Sequence, residues 1–125
     1  MNVLVVAAHP DDEVLGCGGT ILKHVRNGDS VTVVFMTNGV GARHAKNSSS
    51  AAEERRRMSA EAVKILGVGQ VIGFDFPDNQ MDTVPILTII RSLEKVFSER
   101  AYEVVYTHFH GDLNIDHRVV NKAVL

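Results

Sequence analysis

Cysteine is nearly absent from this sequence. Cys17 is the only one, which excludes a disulfide within the chain and any cysteine-rich zinc site. Aromatic residues make up 6%, there is no basic block, and the formal charge is −2. Nucleic-acid binding as a main function is therefore not expected. No apolar run approaches the roughly 20 residues needed to span a bilayer. No basic region stands ahead of a long apolar stretch with a cleavage site at the N-terminus. A reducing, cytoplasmic setting with no transmembrane segment is the expectation. What is present is 45% hydrophobic content in 125 residues, enough for one domain with a real core.

Strand and helix patterns alternate along the chain. Val3 to Ala8 is continuously apolar, as in a parallel strand covered on both faces. Val14, Leu15, Ile21, Leu22 and Val25 recur at helical spacing, and Asn27-Gly28 ends that helix. Ser30 to Thr37 reads as the second strand, and Asn38 to Ser50 as a long loop that includes His44. Ser50 and Glu53 have capping-box spacing for a helix that buries Met58, Ala62, Ile65 and Leu66 and stops at Gly67. Gln70 to Phe74 is a short third strand. Ile86, Ile89, Ile90, Leu93, Val96 and Phe97 form the stripe of a third helix, and Glu103 to Thr107 a fourth strand. The pattern predicts an α/β fold with a parallel sheet and helices on both faces. In such sheets ligands bind beyond the C-terminal strand ends, where the polar clusters of this chain fall. Val119 to Leu125 reads as a helix barely begun, so the expectation is the N-terminal part of a longer domain.

The first strand runs into Ala8-His9-Pro10-Asp11-Asp12-Glu13, with Gly16, Gly18 and Gly19 close behind. One imidazole and three carboxylates at a helix start are costly unless a cation sits among them. A plain helix start accounts for Pro10 and two acids, but not for a histidine beside adjacent aspartates. The second cluster runs from His108 to His117 and holds three of the six histidines, with Asp112, Asn114 and Asp116. Its plain reading is a polar loop in which Asp116 caps the last helix. His117 can add a third ligand to His9 and Asp12. Two histidines and a carboxylate with open positions form a catalytic zinc arrangement, and the same set holds iron(II). Asp112 and Asp116 can each orient a histidine. The Gly16-to-Gly19 run lacks dinucleotide-binding spacing, and close helix–sheet packing explains it more simply. Of Arg55, Arg56 and Arg57, two are expected on a solvated face while one reaches an anionic substrate. Asp78 is either a turn residue or a hydrogen-bonding partner for substrate.

These residues resemble a known family. Ala8 to Glu13 after an N-terminal strand is similar to the hallmark of the PIG-L/LmbE-like zinc-dependent N-deacetylases, and Asp116-His117-Arg118 resembles their second metal motif. Thr37-Asn38-Gly39, the Arg55-to-Gly67 helix and Phe76-Pro77-Asp78 also resemble the family. The resemblance implies a Rossmann-like three-layer sandwich, with residues 1–125 forming a single such domain. It implies one zinc per chain held by His9, Asp12 and His117, with Asp11 as general base. The substrate it implies is an N-acetylated amino sugar or its conjugate; from the residues themselves, Arg55 and Asp78 are the expected substrate contacts. Many members carry a histidine three residues before the second-motif ligand, assigned to the oxyanion or the leaving amine. Asn114 occupies that place here, so either Asn114 donates a hydrogen bond itself or His110 takes over the role.

Amide hydrolysis needs activated water, a stabilised oxyanion and a protonated nitrogen. Zinc lowers the pKa of bound water to about 7 and polarises the carbonyl. Asp11 is placed to accept the water proton, and Asp11 or His110 to deliver one to the amine. The competing readings are a metal-dependent phosphoesterase and a non-catalytic sugar- or metal-binding domain. A homo-oligomer is compatible with everything above.

Overall fold

The computed structural model describes the chain except for residues 38–47 and the side chains of residues 14, 48–52, 55 and 56. Strands β1 (Asn2–Ala7), β2 (Ser30–Thr37), β3 (Gln70–Phe76) and β4 (Val104–Tyr106) form one sheet in the order β3-β2-β1-β4. Every pairing is parallel, so each link must cross over a sheet face. Helices α1 (Asp12–Arg26), α2 (Ser48–Leu66) and α3 (Ile86–Glu99) make those crossovers, and α4 (Ile115–Val124) follows β4.

Side chains alternate across a strand, and the central strands divide their apolar residues between two layers. Leu4, Val6, Val34 and Met36 face one side, where Ile89, Leu93 and Val96 of α3 meet Val120 and Ala123 of α4. Val3, Val5, Ala7, Val31, Val33 and Phe35 face the other, against Ile21 of α1 and Val63 of α2. Both faces being covered, β1 and β2 read as unbroken apolar runs. Burying each such side chain contributes about 1.5–3 kcal/mol. The expected Rossmann-like three-layer sandwich is the observed architecture.

Several details differ from the sequence expectation, among them the strand ends, since β3 runs on to Phe76 and β4 spans only Val104–Tyr106. Leu15 is 86% exposed, because α1 breaks at Cys17 (φ −147°, ψ 25°) within its glycine run and the helical phase resets there. On α2, Met58 and Ile65 are 56% and 82% exposed. The face meeting the sheet is instead Ser59, Val63 and Leu66 at helical spacing, which turns Met58 and Ile65 away. α2 already runs at Ser48, so Ser50 lies inside the helix rather than at its start. The expected loop around His44 lies outside the described residues, apart from its last three residues, which are helical.

From β1 the chain moves outward to β2 and β3, then returns to β4 on the other side of β1. The switch point therefore lies beyond the C-terminal ends of β1 and β4, where a doubly wound sheet opens a crevice.

Candidate metal centre

His9 leaves the end of β1, and Asp11 then adopts a left-handed backbone (φ 87°) that swings the chain into α1. Asp12 opens the helix, its Oδ2 accepting the His9 backbone N–H at 2.9 Å. From the other side of the crevice, Asn114 caps α4, its Oδ1 accepting the amides of Asp116 (2.9 Å) and His117 (3.4 Å). That cap fixes the first turn of α4 and aims His117 back at β1.

Three atoms converge. His9 Nδ1 lies 3.3 Å from Asp12 Oδ2, His117 Nε2 lies 3.1 Å from the same oxygen, and the two nitrogens are 3.3 Å apart. The opposite ring nitrogens face carboxylates. His9 Nε2 meets Asp116 Oδ2 at 2.8 Å and Asp78 Oδ1 at 2.9 Å, and His117 Nδ1 meets Asp112 Oδ2 at 3.0 Å. Carboxylates only accept, so protons held on these outer nitrogens would leave the inner ones to present lone pairs to a cation. Two imidazole lone pairs and a carboxylate oxygen within 3.3 Å repel one another unless a cation lies between them. Tetrahedral zinc, with ligands at about 2.0–2.1 Å, sets neighbouring donors about 3.3–3.4 Å apart. The donor set fits that ion, and the outer carboxylates are the partners that orient zinc-bound histidines.

Two further groups of three share these side chains. His108, Asp112 and His117 are close, but the His108 and His117 rings are stacked, with centroids 3.8 Å apart and 13° between planes. Near-parallel rings cannot aim in-plane lone pairs at one point. His9, Asp78 and Asp116 are held by the His9 Nε2 proton, and Asp116 also accepts the amides of Asn79 and Met81. The His9 and His117 rings are tilted at 45°, which lets both converge.

Electrostatics agree with this picture. Burial opposes the charged form of His9, yet hydrogen bonds to Asp12 and Asp116 and the nearby carboxylates raise its pKa to about 8. The carboxylates that favour the charged imidazole are the same ones that would draw a cation to this crevice. Burial likewise opposes ionisation of Asp12, but the His9 hydrogen bonds and the His117 charge hold its carboxyl below the usual range. Burial and the His117 charge push His108 down to about 4. Behind Asp12, Glu13 is 1% exposed with neither carboxyl oxygen hydrogen-bonded among the described residues. Burial, with a contribution from the Asp11 and Asp12 charges, raises it to about 7.

The other expected site residues fall as follows. Asp78 is buried against His9, because the loop after β3 folds over the histidine. Asn114 spends its carbonyl oxygen on the α4 cap, which leaves the amide that caps no helix to do any further work. His110 is exposed, with its ring 4.4 Å from that of Phe109, and makes no hydrogen bond or ion pair among the described residues. Asp11 is partly buried beside the triangle without belonging to it. The Arg55 side chain lies outside the described residues. In the sequence His108 belongs to the second cluster without an assigned role. The signal was its position two residues past β4, as His9 is two past the neighbouring β1.

Comparison with known proteins adds a family match. The PIG-L family model, described as GlcNAc-PI de-N-acetylase, matches residues 4–125. An uncharacterized deacetylase of Escherichia coli, YaiS, is 30% identical over 98% of this chain and 65% of its own length. The N,N'-diacetylchitobiose deacetylase of Pyrococcus horikoshii superposes with a TM-score of 0.87 at 26% identity, covering 98% of this chain and 47% of that one. A 4-carboxy-2-hydroxymuconate hydratase from Pseudomonas putida superposes with a TM-score of 0.82 at 30% identity, over 98% of this chain and 55% of that one. The chain thus spans about half to two thirds of the length of these relatives. Among the described residues, no helix is long and apolar enough to cross a membrane.

Proposed function

We propose that this chain, which belongs to the PIG-L family, carries the metal centre of a zinc-dependent N-deacetylase acting on an N-acetylated amino sugar or its conjugate. The observation that carries the reading is the triangle of His9 Nδ1, Asp12 Oδ2 and His117 Nε2, with sides of 3.1–3.3 Å and outer nitrogens secured by carboxylates. The deacetylase names of the Escherichia coli and Pyrococcus relatives support the reaction class. In this reading residues 1–125 act as a single domain.

When bound, zinc supplies Lewis acidity toward an amide carbonyl and toward water. The residues supply the rest. Asp116, Asp78 and Asp112 keep the protons of His9 and His117 on the outer nitrogens, so the inner lone pairs stay available to metal. Asp11, next to Asp12 but outside the triangle, takes the proton of the attacking water. His110, on the loop between β4 and α4, is the group assigned to return a proton to the departing amine. Arg55 on α2 is assigned to the substrate.

The test is metal content and acetate release measured on one preparation, with N-acetylglucosamine and N,N'-diacetylchitobiose as substrates. One zinc per chain, acetate release, and loss of both on chelation are expected. Zinc-loaded protein that releases no acetate refutes the deacetylase reading. The similarity to the muconate hydratase favours a second reading, addition of water to an unsaturated carboxylic acid. Consumption of such an acid without acetate release would select it.

A further inference from the structure

We infer that His108 is a positioning residue of the metal centre, holding the His117 ring and the end of β1 in the arrangement that closes the ligand triangle; the inference rests on the zinc reading above. The β1–β4 ladder ends at the Val5–Tyr106 pair. Beyond it, side chains take over the stitching. Thr107 Oγ1 donates to the Val6 carbonyl at 3.2 Å, and the Ala8 amide donates to His108 Nε2 at 2.8 Å. Ala8 is fully buried and immediately precedes His9, so this bond fixes the residue from which His9 departs.

A backbone N–H can only donate, so His108 Nε2 accepts and, in the neutral ring, Nδ1 carries the proton. With the Nε2 lone pair taken and its ring stacked on His117 at 13°, His108 does not complete the ligand set. It covers the face of His117 instead. Asp112 fixes that imidazole within its plane through Nδ1, and His108 fixes it out of plane. The His108 carbonyl accepts from Asn121 Nδ2 at 2.8 Å, and Asn121 lies four residues beyond His117, on the same side of α4. One helix therefore holds both the ligand and the residue that steadies it.

Two substitutions separate the contacts. His108→Phe keeps a flat ring over His117 but offers no acceptor to Ala8, whereas His108→Gln keeps an acceptor and loses the ring. Zinc affinity, measured by chelator competition, should fall about ten- to a hundredfold in each, as for outer partners of metal-bound histidines. The visible spectrum of the cobalt(II)-substituted protein should shift in both. Nitrogen-15 NMR of the wild type should show His108 protonated at Nδ1 and bare at Nε2, a readout that needs no variant to fold. Variants with unchanged zinc affinity and cobalt spectrum, or the opposite His108 tautomer, overturn the inference while leaving the zinc reading intact. A wild type that binds no zinc overturns both.

Discussion

Replacing Asp116 with asparagine removes a charge and almost no volume, and the structure says what that should cost. Asp116 is 0% exposed. Its Oδ2 accepts from His9 Nε2 at 2.8 Å and from the Asn79 amide, and its Oδ1 accepts from the Met81 amide at 3.0 Å. Three donors converge on a group that only accepts. In Asp116→Asn one end becomes an NH2. Either it faces His9 Nε2–H and the Asn79 amide, or it faces the Met81 amide. A buried donor left unpaired costs about 1–3 kcal/mol, a large share of the roughly 5–15 kcal/mol that holds a domain together. The alternative is a tautomer change in His9 that puts its proton on Nδ1, the corner of the ligand triangle, against the pull of Asp78 Oδ1 at 2.9 Å. Loss of an outer partner typically lowers metal affinity ten- to a hundredfold, about 1.4–2.7 kcal/mol. Thermal unfolding without metal and zinc competition titration should both move in Asp116→Asn, and further in Asp116→Ala, which offers no acceptor at all. A folded Asp116→Asn protein with wild-type Tm and zinc affinity would refute this account of the centre.

Asn tolerates the left-handed backbone that Asp11 adopts, so Asp11→Asn should fold and bind zinc while acetate release falls at least about a hundredfold; near-normal turnover removes Asp11 from the chemistry. His110→Ala should lower turnover without changing zinc affinity, and unchanged turnover would end its assignment. Ile65→Ser should leave stability within about 0.5 kcal/mol, whereas Val63→Ala should cost about 2 kcal/mol; denaturant titrations showing the reverse order would contradict the placement of α2. Hydrogen bonds from His24 and then from the Met1 amino group hold the Asp29 carboxyl below its usual range. A depressed folded-state pKa contributes stability that is present above the unfolded value of about 3.9 and is lost as pH falls through the folded one. Asp29→Asn should therefore lower Tm at neutral pH and match the wild type in strong acid; equal Tm at every pH would count against the pairing.

The readable parts of this fold were those whose signal is local. β1 and β2 are buried on both faces, so each shows as an unbroken apolar run, and the alternation with helices implies parallel crossovers. The surface of α2 was not readable in the same way. Its apolar arc is wider than the strip the sheet covers, and β3 lies at the sheet edge with Val71 itself exposed. Sequence alone does not say which half of such an arc faces inward. The break at Cys17 had a visible cause in its glycines, but its consequence for Leu15 depended on where the helical phase resets.

The site divides along the same line. His9 and Asp12 are neighbours in sequence and signal a cation by composition alone, and His117 stands out in a histidine-rich segment after the strand that pairs with β1. What supports them is set by register and loop path. Asp78 reaches His9 because the loop after β3 folds across the crevice, where it is buried against the ring. Asn114 shows how a local rule competes with a family expectation. A side chain preceding an acidic first turn is a favoured helix cap, and here its oxygen takes the two amides that orient His117. A histidine at that position could not cap α4 in the same way, so the departure at Asn114 changes how His117 is aimed.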